Sequence, residues 1–183
     1  MKKLLTILLS LLIPITSYGV ELNTLFGISL LDNAEKHFSS NYIESNKFKN
    51  DETIDGYFSL VITDEIKSKS PYANWYQIVI DNENTIHRIY GDSDFTNLDI
   101  CQAVRKDLLS KFEKKYAINF EYFEESYPEF KIYADYQFVG PYQTNSIRIQ
   151  CRESYIDSST LLQIMLNSFN LIDAVNDYYD SGL

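Results

Sequence analysis

Two histidines, two cysteines and 26 acidic residues carry most of the chemistry this 183-residue chain could perform. With only His37 and His87, a three-histidine zinc site is excluded, and neither His-Glu-x-x-His nor Cys-x-x-Cys occurs. Nucleophile elbows of the Gly-x-Ser-x-Gly type, P-loops and Gly-x-Gly-x-x-Gly fingerprints are missing too, so nucleophilic and nucleotide chemistry lack their usual parts. His87, beside Arg88 in a stretch of strand character, is placed to be a general base. A lone strand histidine is more often simply packed or solvent-facing, and His37 reads the same way. No cofactor, metal or catalytic residue is assigned.

Acidic clusters suggest two further chemistries. Asp81 with Glu83, and Asp92 with Asp94, resemble oxygen-rich calcium loops, but they lack the sixth-position Gly and final Glu of an EF-hand and are expected as solvated turns. Glu121, Glu124, Glu125 and Glu129 could supply the two carboxyls of a sugar hydrolase, which need unequal pKa values and a separation of about 5–10 Å. A charged surface connection is the plainer reading. Fifteen Tyr and eleven Phe make an aromatic excess. Tyr122, Tyr127, Tyr133 and Tyr142 are the candidate binding surface, for a protein or glycan partner. Codon bias toward Tyr, Phe, Ile, Asn and Lys is the competing explanation.

The amino terminus has the three parts of a secretory signal: Lys2 and Lys3, an apolar run from Leu4 to Ile15, then small residues at Ser17 and Gly19. The run is shorter than a spanning helix requires. Cleavage is expected after Gly19, with residues 1–19 the signal peptide and 20–183 a single exported domain, periplasmic or secreted. Val20 where a lipoprotein would carry Cys argues against lipidation. Losing two lysines moves the formal charge from −10 to −12. So acidic a chain repels phosphate backbones and anionic lipid, so nucleic acid is not an expected partner, and no later segment could span a membrane.

In an oxidising compartment two cysteines pair. Cys101 lies on the stripe Leu98, Cys101, Val104, Leu108, Phe112, Tyr116, which predicts a helix over about 97–116. Cys151 shares a strand face with Ile147 and Ile149. A helix laid on that sheet would join Cys101 to Cys151, closing a loop of about 51 residues for roughly 4 kcal/mol.

The remaining periodicities predict a strand through Thr24, Phe26, Ile28 and Leu30, and a short helix from Asp32 to about Ser40 with capping-box spacing at Asp32-Asn33-Ala34-Glu35. A polar loop is expected at 45–52. Strands follow at Phe58–Ile62, Tyr76–Ile80, Thr85–Tyr90, Phe130–Phe138, Ile147–Arg152 and Leu161–Leu166, with a loop at Gly140-Pro141 and a closing helix from Phe169 to Tyr179. The order makes an α+β fold: an antiparallel sheet, arranged as two α-βββ units, with helices packed on one face. The start, Phe26-Gly27-Ile28-Ser29-Leu30 and a capped helix, is similar to that of small exported α+β modules such as periplasmic envelope-assembly factors and secreted enzyme inhibitors. That resemblance implies a binding module. The expected function is a non-enzymatic module binding another exported or envelope protein; the alternative is a carboxylate-dependent hydrolase of envelope or extracellular sugars.

Overall fold

A computed structural model describes residues 22–49, 54–62, 70–139 and 145–180. The expected secretory signal and the expected Gly140-Pro141 loop lie outside these residues. The chain forms the expected α+β fold around one eight-stranded antiparallel sheet. The first half runs α1 (Ser40–Asn46), β3 (Lys47–Phe48), β4 (Tyr57–Ile62), β5 (Trp75–Asp81) and β6 (Ile86–Phe95). The second runs α2 (Leu98–Tyr116), β7 (Glu121–Ser126), β8 (Phe130–Val139), β9 (Asn145–Ser154) and β10 (Thr160–Ser168), and α3 (Phe169–Asp180) closes the chain. The sheet order is β3-β4-β5-β6-β10-β9-β8-β7. Each half is therefore a helix followed by a four-stranded meander, one strand more than the sequence pattern suggests. The last strands of the two meanders, β6 and β10, pair at the centre.

The extra strands are the outermost ones. Lys47–Phe48, in the expected polar loop, pairs with Leu60 and Ser59. Glu121–Ser126, read as a charged connection, pairs along its whole length with β8. Neither shows apolar alternation, because a two-residue strand has no room for it and β7 is largely exposed. The amino-terminal strand is also corrected. Phe26 and Gly27 both have positive φ, 55° and 78°, and form a two-residue turn between β1 (Thr24–Leu25) and β2 (Ile28–Ser29). Leu22, Leu25, Ile28 and Leu30 are consequently the buried set. The expected helix at 32–40 is a single 3₁₀ turn at Ala34–Lys36, capped by the Asn33 side chain, and α1 starts afresh with Ser39 as its cap.

One hydrophobic cluster fills the space between the sheet and α1, α2 and the β1–β2 hairpin, with Ile78, Ile89, Ile147, Ile149, Leu162 and Ile164 from the strands. The predicted stripe of α2 packs on it, and the helix carries Asn97 as its cap. Cys101 and Cys151, both fully buried, are joined as expected, with Cα atoms 6.0 Å apart. A second tie is the buried ion pair of Arg105 with Asp135 of β8 at 3.1 Å. Burial pushes Asp135 above the usual carboxylate range, and the Arg105 charge opposes that push.

Strand residues that alternate with this core point to the other face. Val79, Ile132 and Leu171 are buried but lie outside the main cluster. α3 turns toward this second face, where its Ile172 lines a recess together with Phe138, Arg148 and Asn167.

Candidate functional site

The register of the sheet lays out the second face residue by residue. One row across six strands reads Trp75, Asp92, Gln163, Gln150, Ala134, Phe123. The next reads Gln77, Tyr90, Met165, Arg148, Tyr136, Glu121. Beyond it lie Val79, Arg88, Asn167, Ser146 and Phe138; on the other side lie Asp94, Leu161, Arg152, Ile132 and Glu125. Trp75, Phe138 and Arg152 are exposed, and Tyr90, Met165, Arg148 and Tyr136 are half-buried. Rings meet within these rows: Trp75 with Tyr90 at 5.7 Å, Phe123 with Tyr136 at 5.6 Å, and Tyr136 with Phe138 at 6.0 Å. Three of the chain's four arginines, Arg88, Arg148 and Arg152, stand here. Arg148 lies 4.7 Å from the Phe123 ring and Arg152 3.9 Å from that of Phe130. Among the described strands the lysines, Lys47 and Lys131, have the opposite parity.

Asp92 breaks the expectation of a solvated turn. It lies within β6 and is only 8% exposed. Burial, helped by the Asp94 charge, pushes its carboxyl up to about 7 against the pull of Gln163 and Arg152. Gln150 donates to Gln163, which in turn reaches Asp92, so an oriented amide chain crosses β9, β10 and β6. Asp81 and Glu83 do form a turn, in which Asp81 accepts from the Glu83 and Thr85 amides. Among the described residues no three His, Cys, Asp or Glu side chains converge as a metal site.

Among the described residues, one nucleophile-like constellation brings His87 to Ser168 and Asp81, 81 residues from the first and 6 from the second. His87 Nδ1 lies 3.0 Å from Ser168 Oγ, and its Nε2 lies 3.0 Å from Asp81 Oδ2. Burial pushes Asp81 up, but hydrogen bonds from His87 and the Thr85 and Glu83 amides outweigh it and hold the carboxyl below its usual range. The order serine, histidine, carboxylate is that of a hydrolase relay. Two features set it apart. Ser168 is 1% exposed, with its Oγ accepting the Leu171 amide, so no substrate carbonyl can reach it. Tyr57 also packs edge-on to the imidazole at 5.2 Å. The cluster bolts the β5–β6 turn to the end of β10 and the start of α3.

Of the four tyrosines singled out by composition, the three described do not share one surface. Tyr122 and Tyr133 point to the helix-bearing side, where Tyr122 lies 5.0 Å from the Arg105 guanidinium and Tyr133 4.6 Å from Lys131. Tyr127 stacks on Phe130 at the β7–β8 turn, and Tyr142 lies outside the described residues. The glutamates are dispersed as well. Glu124 pairs with Lys131 on the helix side at 2.6 Å, and its hydrogen bonds from Lys131 and Tyr122 hold its carboxyl low. Glu121 and Glu125 sit four residues apart on the other side, about 13 Å along the strand, and Glu129 is in the turn. His37 is 3.5 Å from Asp32.

At the β7–β9 end of the second face is an open recess of about 500 Å³. Phe123, Tyr136, Phe138 and Ile172 line its sides, with Arg148 and Glu125 as its charged groups. No helix among the described residues is long and apolar enough to cross a membrane. Searches against protein families, curated proteins and solved structures find no match to the chain.

Proposed function

We propose that the protein is an exported, non-enzymatic binding module that docks a partner protein on the second face of its sheet. The observation that carries this reading is the row Tyr90–Met165–Arg148–Tyr136, flanked by Trp75, Phe123, Phe138 and Arg152. Trp, Tyr, Phe, Met and Arg are the residues enriched at protein interfaces, whereas Lys is depleted. Among the described strands the cationic side chains on this face are arginines. Rigid rings beside guanidinium groups lose little conformational freedom on docking and can serve as its energetic anchors. The size fits as well. Four rows about 6.8 Å apart, two crossing six strands and two crossing five, with strands about 4.8 Å apart, span roughly 700 Å² of sheet, near one partner's share of an ordinary stable interface. The partner suited to this face presents apolar side chains with carboxylates for the arginines. Export is supported by the amino-terminal pattern and by the buried Cys101–Cys151 bond, which an oxidising compartment maintains.

The test is capture from the organism's own exported fraction with wild-type, Trp75→Ala and Tyr90→Ala proteins, followed by hydrogen-exchange mapping of the reconstituted complex. A stoichiometric partner lost on either substitution, with protection centred on β6, β9 and β10, is expected. Protection confined to α2 and the helix-bearing face would overturn the proposal.

A further inference from the structure

Within the docking face, Arg148 stands out by what it lacks. Its Nε is buried without a hydrogen-bond partner, and Nη2 lies 3.8 Å from Glu125 Oε2, beyond hydrogen-bond reach. The same Glu125 oxygen accepts from the Tyr127 hydroxyl at 3.0 Å. Arg88, by contrast, donates from Nε to Asn167 at 2.6 Å. A half-buried guanidinium without full pairing has given up hydration with little return, and burial lowers the Arg148 pKa for that reason. Arg148 lines a recess whose other walls include the rings of Phe123, Tyr136 and Phe138 and the side chain of Ile172. A cation set beside apolar walls favours a carboxylate on an apolar stem, with Glu125 the competing carboxylate in the same recess.

We propose that this recess receives a segment of the partner protein in which a carboxylate lies next to an aromatic or aliphatic side chain, the carboxylate pairing with Arg148 and the apolar group entering between Phe138 and Ile172. This rests on the docking face of the preceding section. It adds the chemistry of the anchor.

The probe is 3-phenylpropionate, compared with its amide 3-phenylpropanamide, titrated into the oxidised protein and followed by amide NMR. Saturable shifts at Phe123, Phe138, Ser146 and Arg148 are expected, with the carboxylate bound at least about tenfold more tightly than the amide. Arg148→Met should make the two probes equal while leaving the spectrum dispersed, and Arg148→Lys should keep part of the preference. Equal binding of both probes to the wild type, or no shifts at these amides, would overturn the recess assignment. Trp75→Ala separates the two proposals, since Trp75 is outside the recess: it should abolish partner capture and leave the probe titration unchanged. A wild type blind to the probe whose partner is still lost with Trp75→Ala overturns the recess alone. Probe binding with capture unaffected by Trp75→Ala and Tyr90→Ala overturns the partner as its source.

Discussion

Replacing Asp92 by Asn removes a carboxyl of the second sheet face that burial pushes up to about 7. Asp92 is buried between Trp75 of β5 and Gln163 of β10, and its pKa rises from 3.8 to about 7. An unfolded aspartate ionises near 4, so between about pH 4 and 7 the native state binds more protons than the unfolded state. Stability in that window therefore falls as pH rises, by about 1.4 kcal/mol per unit, and the penalty is complete above about pH 8. Asn cannot ionise and escapes it. The advantage of Asp92→Asn over wild type should widen by roughly 2–3 kcal/mol between pH 5 and pH 8, from the two units that remain below 7. Urea unfolding at the two pH values measures it, with the single tryptophan, Trp75, as a reporter directly across from the substitution. Other titrating groups are common to both proteins and cancel in the difference. A gap that is unchanged between the two pH values, or larger at pH 5, would refute the placement of Asp92 as a buried, under-solvated carboxyl.

Three further outcomes follow from the packing. Gly91→Ala would set a Cβ 2.8 Å from the Phe26 ring and the Ala73 methyl, so it should cost about 1–3 kcal/mol by urea unfolding; an unchanged midpoint would mean the β1–β2 hairpin shifts aside freely. Replacing both Cys101 and Cys151 by Ala should lower stability by about 4 kcal/mol in the same assay, because the bridge spans 50 residues between α2 and β9; a loss below about 1 kcal/mol would contradict the loop-closure account. A fluorophosphonate should leave the native protein unlabelled at Ser168, since the hydroxyl is buried beneath the start of α3; stoichiometric labelling there, read by mass spectrometry, would reinstate a hydrolase.

What could be read from the sequence was local and periodic. The α2 stripe and the Ile147-Ile149-Cys151 alternation each fix a buried face, and two inward cysteines on facing elements leave little choice of partner. Elements formed through backbone pairing alone gave no such signal. β7 is Glu-Tyr-Phe-Glu-Glu-Ser, exposed along most of its length, and exists because β8 offers it hydrogen bonds. Gly91-Asp92-Ser93-Asp94 has the composition of a turn, yet it extends β6, with Gly91 making room for Phe26 and Asp92 buried. Alternation from Thr24 to Leu30 hid the Phe26-Gly27 turn.

The candidate site was less legible because it is a product of register. Tyr90, Met165, Arg148 and Tyr136 lie on four strands, and nothing in their separate sequence contexts says that they align. The same holds for Ser168, His87 and Asp81, where His87 lies 81 residues from one partner and 6 from the other. Tyrosine abundance pointed to aromatic contact area in general, but strand parity sends Tyr122 and Tyr133 to the helix-bearing side.

Site-specific photocrosslinking in the native organism tests the proposed docking face most directly. A benzophenone side chain placed at Trp75, Tyr136 or Phe138 should give one discrete adduct shared by all three positions, and the exposed Leu31 and Ile100, away from these rows, should give none. Adducts formed from Leu31 or Ile100 while the three face positions stay silent would contradict the account.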